Sequence, residues 1–241
     1  MSYSSVIAGD SPTNWWRFRP EASSIARNHL PSKPSLANIT TAGSFSTPQS
    51  YTGIAADGGS YLIHPDDKFD GGVPCFVVPC IGVPYSAEIW TYTTLAVWNT
   101  TGNAAMWGAG ANSTMAAVSF NGTGFPVWGT TGSGACSGHP ATSAVLQVGA
   151  WVHQVITMAG TTAHYFINGV LNDSCTFTAS NPAAFDGGHV GSGTGTGIAF
   201  FACEFATYGV ALSSTQVAAH YAAADTLAPP RWTQGLGSAC Q

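Results

Sequence analysis

The sequence is poor in charged side chains. Of its 241 residues, 6 are Lys or Arg and 11 are Asp or Glu, which is 7% in all, whereas a globular domain ordinarily has about 25%. The few basic residues and the net charge of −5 argue against a phosphate-binding surface, because affinity for nucleic acid comes largely from Lys and Arg. We therefore expect no nucleic-acid partner.

Long apolar runs are also missing. No stretch approaches the roughly 20 apolar residues that a membrane-spanning helix needs, and residues 1–12 are too polar for the hydrophobic stretch of a signal peptide. The sequence therefore predicts a soluble chain that is not inserted in a membrane and is not exported by the Sec route.

Apolar residues are nevertheless plentiful. The chain is 45% hydrophobic and 12% aromatic, which excludes disorder over most of its length. Its 29 Gly and 14 Pro interrupt the sequence too often for helices of ordinary length and favour short strands with tight turns. We expect one all-β domain over residues 1–227, followed by an irregular arm over 228–241.

The clearest strand signal begins at Trp151. Apolar and polar residues alternate through Ile156, which predicts a half-buried strand, and Asn168-Gly169 between apolar runs predicts a type I′ hairpin. Together these signals predict a three-stranded meander from 151 to about 177. Further strands are expected at 59–64, at 85–99 with a break near Tyr92, around 104–107, 115–120 and 125–128, and from Ile198 to Tyr208.

One helix is expected near the end of the chain. Ser213 and Gln216 have the spacing of a capping box, in which each side chain bonds the backbone N–H of the other residue. Val217, Ala218 and Tyr221 follow at helical spacing, and the helix should end near Ala224 before a pair of prolines.

The order of these segments resembles the laminin-G-like, concanavalin-A-like jelly-roll family. The similar motifs are the opening strand at Trp15–Phe18, the segments 56–62 and 87–90, the strand at Trp151, the hairpin over 165–171, the strand over 203–208 and the capped helix. The resemblance implies a jelly-roll β-sandwich with one short C-terminal helix.

The opening segment Ala8–Pro12, followed by Trp15, is also similar to that of virion proteins of tailed bacteriophages, particularly minor tail proteins of actinobacterial phages. This resemblance implies a non-enzymatic protein that is assembled in the host cytoplasm and exposed on the tail tip, tail fibre or capsid exterior. Its expected partners are other virion subunits, further copies of itself and host cell-surface carbohydrate. The alternatives are a capsid decoration or cementing protein, a secreted glycan-binding module and a glycoside hydrolase.

Hydrolysis of a glycoside would need two carboxylates beside the scissile bond. The chain has three glutamates, Glu21, Glu88 and Glu204, and the last two fall in strand motifs that could bring them together. Carboxylates hydrogen-bonded to backbone or Trp N–H groups in a structural role are the favoured interpretation. We expect no catalytic residue.

Calcium is the one cofactor that the sequence leaves open. Many relatives bind it through oxygen ligands, but the Asp-Glu pair of their last strand is Cys203-Glu204 here, and Ala26-Arg27-Asn28 replaces their "DSSG" loop. The remaining candidate ligands are Asp66, Asp67 and Asp70, with a solvated turn as the alternative.

Six cysteines at 75, 80, 136, 175, 203 and 240 include no Cys-x-x-Cys pair. Cys75 with Cys80, and Cys136 with Cys175, are candidate disulfides that would restrict the unfolded chain. Other pairings remain open, and so does a free thiol at Cys203.

Eight tryptophans are many for this length. Trp107 and Trp128, each followed by Gly and a polar loop, are candidate exposed platforms for stacking on sugar rings, with Trp98 behind them; core or subunit packing is the equal alternative. Trp15, Trp90 and Trp151 are expected in the core. His153 and His164 lie on adjacent predicted strands, and we expect a structural pair rather than a zinc site.

Overall fold

The computed structural model describes residues 3–16, 25–26, 29–31, 36–38, 61–63, 68–70, 84–92, 104–108, 117–120, 126–129, 139–140, 151–176, 189–191 and 200–225. Two helices are α1 (Tyr3–Gly9) and α2 (Ser214–Asp225). The described strands are β1 (Asn14–Trp16), β2 (Ile25–Ala26), β3 (Leu36–Asn38), β4 (Tyr61–Ile63), β5 (Lys68–Asp70), β6 (Tyr85–Tyr92), β7 (Ala104–Gly108), β8 (Ala117–Phe120), β9 (Pro126–Gly129), β10 (His139–Pro140), β11 (Trp151–Ala159), β12 (Thr162–Ile167), β13 (Val170–Thr176), β14 (His189–Gly191) and β15 (Phe200–Tyr208).

The strands form two sheets. Sheet A has the order β1-β15-β6-β11-β12-β13, and β4 also pairs with β15. Sheet B has the order β10-β9-β8-β7-β14-β5-β3-β2. Every pairing between described strands is antiparallel. The all-β prediction is therefore confirmed.

Large aromatic side chains fill the space between the two sheets. Trp16 of β1 stacks on Phe205 of β15 with the ring centroids 5.4 Å apart. Trp107 of sheet B meets the same Phe205 edge-on at 6.3 Å, and all three side chains are fully buried. These side chains form the first hydrophobic core, which lies between the sheets. Aromatic residues contribute strongly to such a core because each buries a large apolar area.

The two helices cover the opposite face of sheet A and create a second core. The buried residues of this core come from α1, α2 and sheet A: Tyr3, Ile7, Trp15, Trp90, Val155, Phe166, Ala206, Tyr208, Leu212, Val217, Ala223 and Ala224. Trp151 is partly buried against it. The core positions predicted for Trp15 and Trp90 are confirmed, and Trp151 lies at the margin.

Strand β11 differs from its prediction in one respect. Its alternation of side chains between two faces is as expected, but residues 152–157 are all buried. Both faces are covered, one by sheet B and the other by the helices, so the polar members His153 and Gln154 are buried as well. Buried polar groups of this kind need hydrogen-bond partners, and these two side chains belong to the networks described below.

The local signals of the meander and of α2 are confirmed. Asn168 and Gly169 have φ values of 51° and 77°, as a type I′ turn requires. A Cβ on Gly169 would also lie 2.9 Å from the Cβ of Tyr221 in α2, so this residue must be glycine for two reasons. Ser213 and Gln216 form the capping box: the Ser213 N–H donates to Oε1 of Gln216 at 2.9 Å, and the Gln216 N–H donates to Oγ of Ser213 at 3.3 Å.

The other predicted strands are present within the described residues. Those at 59–64, 104–107, 115–120 and 125–128 appear as β4, β7, β8 and β9, and the last predicted strand appears as β15 over Phe200–Tyr208. The remaining positions of these predictions, Ile198 among them, lie outside the described residues. Strand β6 ends at Tyr92, and the rest of the prediction for 85–99 lies outside the described residues, as does the arm over 228–241.

Helix α1 is a correction to the sequence-based prediction of a single helix. It has seven residues, and Tyr3 and Ile7 are its buried residues. A helix this short is not stable alone, so packing of these two side chains on sheet A holds it. Neither described helix is long and apolar enough to cross a membrane.

Candidate functional site

A buried carboxylate lies at the centre of the helix-covered face of sheet A. Glu88 of β6 pairs in register with Val155 of β11 on one side and Ala206 of β15 on the other. Its side chain is fully buried. A buried carboxylate needs compensating partners, and Glu88 has four, namely Tyr3, His153, Tyr208 and His220.

Each oxygen of Glu88 has two of these partners. Oε1 accepts the hydroxyl of Tyr208 at 2.6 Å and lies 3.5 Å from the hydroxyl of Tyr3. Oε2 lies 3.1 Å from Nε2 of His153 and 2.8 Å from Nδ1 of His220. The partners belong to α1, β11, β15 and α2, so one carboxylate joins both helices to the sheet.

His220 extends this arrangement to a second carboxylate. Its Nε2 lies 2.7 Å from Oδ2 of Asp10, the residue that follows α1. The other oxygen of Asp10 accepts a bond from the Gln216 amide at 2.9 Å. We call Glu88, Asp10, His153, His220, Tyr3 and Tyr208 the Glu88 network.

The hydrogen bonds of His220 fix its charge. An ionised carboxylate only accepts hydrogen bonds, so a ring placed between two carboxylates must donate from both nitrogens and is therefore an imidazolium. Burial opposes this charge, but the charge of Glu88 and the hydrogen bonds to Glu88 and Asp10 outweigh burial and raise the pKa of His220 to about 9.

The pKa values of Glu88 and His153 are both lowered, in contrast to that of His220. Burial favours the protonated form of Glu88, but the charge of His220 and the hydrogen bonds from both histidines outweigh it and hold the pKa of Glu88 well below its ordinary value. Burial lowers the pKa of His153 despite its contact with Glu88. His153 is thus neutral and donates Nε2–H, while its buried Nδ1 meets no donor among the described residues.

The aromatic surroundings hold His153 in place. Its ring stacks on Trp90 at 4.9 Å, and Tyr221 of α2 stacks on Trp90 at 5.9 Å. Planar stacking fixes the orientation of the imidazole, so that Nε2 points at Glu88.

These shifts predict a stability maximum near pH 6.5. Between pH 6.5 and 9 the folded chain retains the His220 proton that the unfolded chain has released, so the free energy of unfolding should fall by about 1.4 kcal/mol per pH unit. Below pH 6.5 His153 becomes protonated in the unfolded chain but not in the folded chain, so the free energy of unfolding falls again. The contribution of Glu88 is present above about pH 4.5 and is lost as the pH falls further.

Denaturant unfolding at a series of pH values measures this profile. The His220→Gln variant should lose the alkaline slope, whereas a His164→Gln control, outside the network, should keep it. A wild-type profile that is flat from pH 6.5 to 9 would contradict the assignment.

Glu204 has a separate structural role. It lies in a β-bulge of β15, where the register with β6 shifts between Cys203 and Ala206, and its φ of 52° is unusual for a residue other than glycine. Its Oε2 accepts the indole N–H of Trp15 at 2.6 Å. Glu204 has the Trp N–H partner that the sequence-based interpretation expects, whereas Glu88 is bonded by histidine and tyrosine side chains instead. Glu21 lies outside the described residues.

Trp107 is a correction to the prediction of an exposed platform. The side chain is fully buried, and its indole N–H donates to Oε1 of Gln154 in sheet A at 3.1 Å. The same oxygen accepts the hydroxyl of Tyr165 at 2.7 Å, and the Gln154 amide donates to Thr91. The alternative of core packing is therefore right for Trp107, because the residue joins the two sheets.

The other two candidate platforms are Trp128 and Trp98. Trp128 is in β9, and its cross-strand partner Val118 pairs in turn with Trp107, so the two tryptophans occupy one cross-strand row. Trp98 lies outside the described residues. A stacking role for Trp98 and Trp128 stays a prediction.

Most of the candidate calcium ligands and disulfide cysteines lie outside the described residues. Asp66 and Asp67 lie outside the described residues, and Asp70 is described only as a backbone position in β5. No group of three or more His, Cys, Asp or Glu within the described ranges could hold a metal ion. Cys175 is disulfide-bonded; Cys75, Cys80 and Cys136 lie outside those ranges.

The two histidines expected to face each other do not. His164 pairs in register with Thr157, four residues beyond His153, and its Nδ1 lies 2.7 Å from Oγ of Ser174. Nε2 of His153 lies within hydrogen-bond distance of Oε2 of Glu88 instead. The roles of Asp10 and His220 are absent from the sequence-based predictions. The spacing of Val217, His220, Tyr221 and Ala224 nevertheless places His220 on the apolar side of α2.

The family of the chain is shown by its sequence. A laminin-G-type family model, described as the Concanavalin A-like lectin/glucanases superfamily, matches residues 57–218. The chain belongs to this family. No curated protein sequence matches it.

Solved structures share the fold at low identity. The ligand-binding domain of botulinum neurotoxin serotype D, in complex with N-acetylneuraminic acid, has a TM-score of 0.62 and 13% identity over 90% of this chain and 52% of that chain. Trypanosoma rangeli sialidase, in complex with 2,3-difluorosialic acid, has a TM-score of 0.62 and 10% identity over 89% of this chain and 33% of that chain. This chain therefore spans about half of the toxin domain and a third of the sialidase.

Proposed function

We propose that this protein is a non-enzymatic virion component of a tailed bacteriophage whose sandwich binds host cell-surface glycans. In this proposal the chain is assembled in the host cytoplasm and displayed in several copies on the tail tip, tail fibre or capsid exterior. Many weak sites then act together, because multivalent display raises avidity without any new contact.

The burial and the hydrogen bonds of Glu88 and Glu204 support a non-enzymatic function. Glycoside hydrolysis needs two carboxylates that reach the scissile bond, but Glu88 is 0% and Glu204 is 1% exposed. Glu88 is engaged by two histidines and two tyrosines, and Glu204 by Trp15. The two acids that the sequence offers as a catalytic pair are thus internal.

The fold supports glycan binding. The family description includes lectins, and the botulinum neurotoxin domain with the same fold was solved with N-acetylneuraminic acid. The candidate platforms for stacking on a sugar ring are Trp98 and Trp128. Asp66, Asp67 and Asp70 are the candidate ligands of a calcium ion.

A glycan array tests the proposal. The chain is applied as a monomer and as a multimer, with and without calcium, and we expect the multimer to bind a subset of glycans about 10²- to 10⁴-fold more tightly than the monomer. Trp98→Ala and Trp128→Ala should weaken binding, and melting temperatures measured on the same variants separate lost binding from lost folding. An array that stays blank with the multimer would refute glycan recognition.

The alternative is a purely structural subunit of the particle. Val170 and Leu171, at the start of β13, are 69% and 48% exposed, and exposed apolar side chains of this kind suit packing against a neighbouring subunit. Val170→Ser/Leu171→Ser should then abolish incorporation into particles while the isolated chain folds normally. Under the glycan-binding proposal the same variant keeps its array pattern.

A further inference from the structure

The Glu88 network joins two layers of the molecule that are otherwise held by different forces. The strands of sheet A are bound by backbone ladders, including eight register pairs between β6 and β11. The helices have no ladder. α1 is seven residues long, and both helices are held on the sheet by side-chain packing and by the bonds of Asp10, His220 and Tyr3.

His220 is placed to respond to the loss of one proton. As an imidazolium it donates to Asp10 beyond α1 and to Glu88 in β6, at 2.7 and 2.8 Å. A neutral ring has one N–H, so one of the two carboxylates would face a ring nitrogen lone pair. Two anions would then lie close together without the cation between them, which is costly in a buried site.

We propose that His220 is a proton-dependent latch, which holds α1 and α2 on sheet A as an imidazolium and releases both helices when it loses its proton, while the sheets stay folded. The groups that face it are Glu88 from β6 and Asp10 from the turn after α1, with Tyr208 from β15 in ring contact at 6.0 Å. His153 from β11 and Tyr3 from α1 reach it through Glu88.

The hinge of this motion is the segment before α2. The hydroxyl of Ser86 in β6 donates to the Val210 carbonyl at 2.9 Å and accepts the Leu212 N–H at 2.8 Å. These bonds contain no group that titrates in the neutral range, so they keep the start of α2 on the sheet after His220 is released. Opening would expose the apolar side chains of Trp90, Val155 and Phe166, which the helices cover.

Hydrogen exchange tests the latch on the full chain. Protection is corrected for the intrinsic effect of pH and compared between α2 amides and β11 amides. The opening constant of α2 should rise about tenfold per pH unit from pH 6.5 to 9 and should exceed that of β11 at least tenfold. His220→Gln should keep α2 more open at every pH and remove the slope, and His164→Gln should change neither.

A milder variant covers the case in which His220→Gln does not fold. The Asp10 side chain is 22% exposed, and Asp10→Asn removes one of the two anions, so the rise in α2 opening should end at a lower pH than in wild type. The proposal is overturned by equal opening constants for α2 and β11, by a slope that survives in His220→Gln, or by an unchanged profile in Asp10→Asn.

Discussion

Replacing Glu88 with glutamine should lower the free energy of unfolding by about 3–5 kcal/mol, which is the cost of removing one partner from a buried ion pair. The amide leaves the His220 imidazolium with Asp10 as its only anion in the network. It also replaces one of the two accepting oxygens with an NH2 group, so the side chain can no longer accept from both the histidine pair and the tyrosine pair. Denaturant unfolding at pH 6.5 measures the loss.

Asp173→Asn is the matched control for this prediction. Asp173 is a half-buried carboxylate on β13, and its Oδ1 accepts the Ser174 N–H at 2.8 Å, a bond that an asparagine oxygen can retain. We expect a smaller loss than in Glu88→Gln, because Asp173 is only half-buried and this bond is retained. A loss below about 1 kcal/mol in Glu88→Gln would mean that the Glu88 network contributes little to stability.

Replacing Trp107 with alanine should cost about 3–5 kcal/mol, as large-to-small substitutions of a buried tryptophan do. The side chain is 0% exposed and contacts Phe205 and Gln154 of sheet A. The substitution therefore opens a cavity between the sheets and removes the bond that crosses them. Calorimetric or denaturant unfolding gives the value.

Trp107→Phe separates the two contributions of this residue. It keeps most of the apolar volume and loses the N–H, while Oε1 of Gln154 still accepts the Tyr165 hydroxyl, so about 1 kcal/mol should be lost for the bond and somewhat more for the smaller ring. An alanine variant that unfolds like wild type but fails to bind glycan would contradict the core role of Trp107 and favour an exposed platform for sugar stacking.

The parts of the fold that the sequence predicted are those with short-range causes. The Asn168-Gly169 turn needs positive φ at both residues, and the Ser213-Gln216 capping box needs a fixed spacing. Both signals lie within four residues of chain. The alternation of β11 likewise follows from strand geometry alone.

The site could not be predicted in the same way because its parts meet only in the folded chain. Asp10 and His220 are 210 residues apart, and Glu88 and His153 are 65 apart. Helix α1 has weak local signals, since its buried residues are Tyr3 and Ile7 and it has no acidic residue in its first turn. Trp107 was misplaced because the Gly that follows it suggests a loop, whereas the contact with Gln154 depends on how the two sheets pack.

The proposed function of this sandwich is glycan recognition without cleavage. Its most direct test is to pass a mixed pool of oligosaccharides over the immobilised, multimerised chain and to compare the bound and unbound fractions by mass spectrometry. We expect a subset of the oligosaccharides to be retained and recovered at unchanged mass. No retention, or shortened products that disappear in Glu204→Gln, would contradict it.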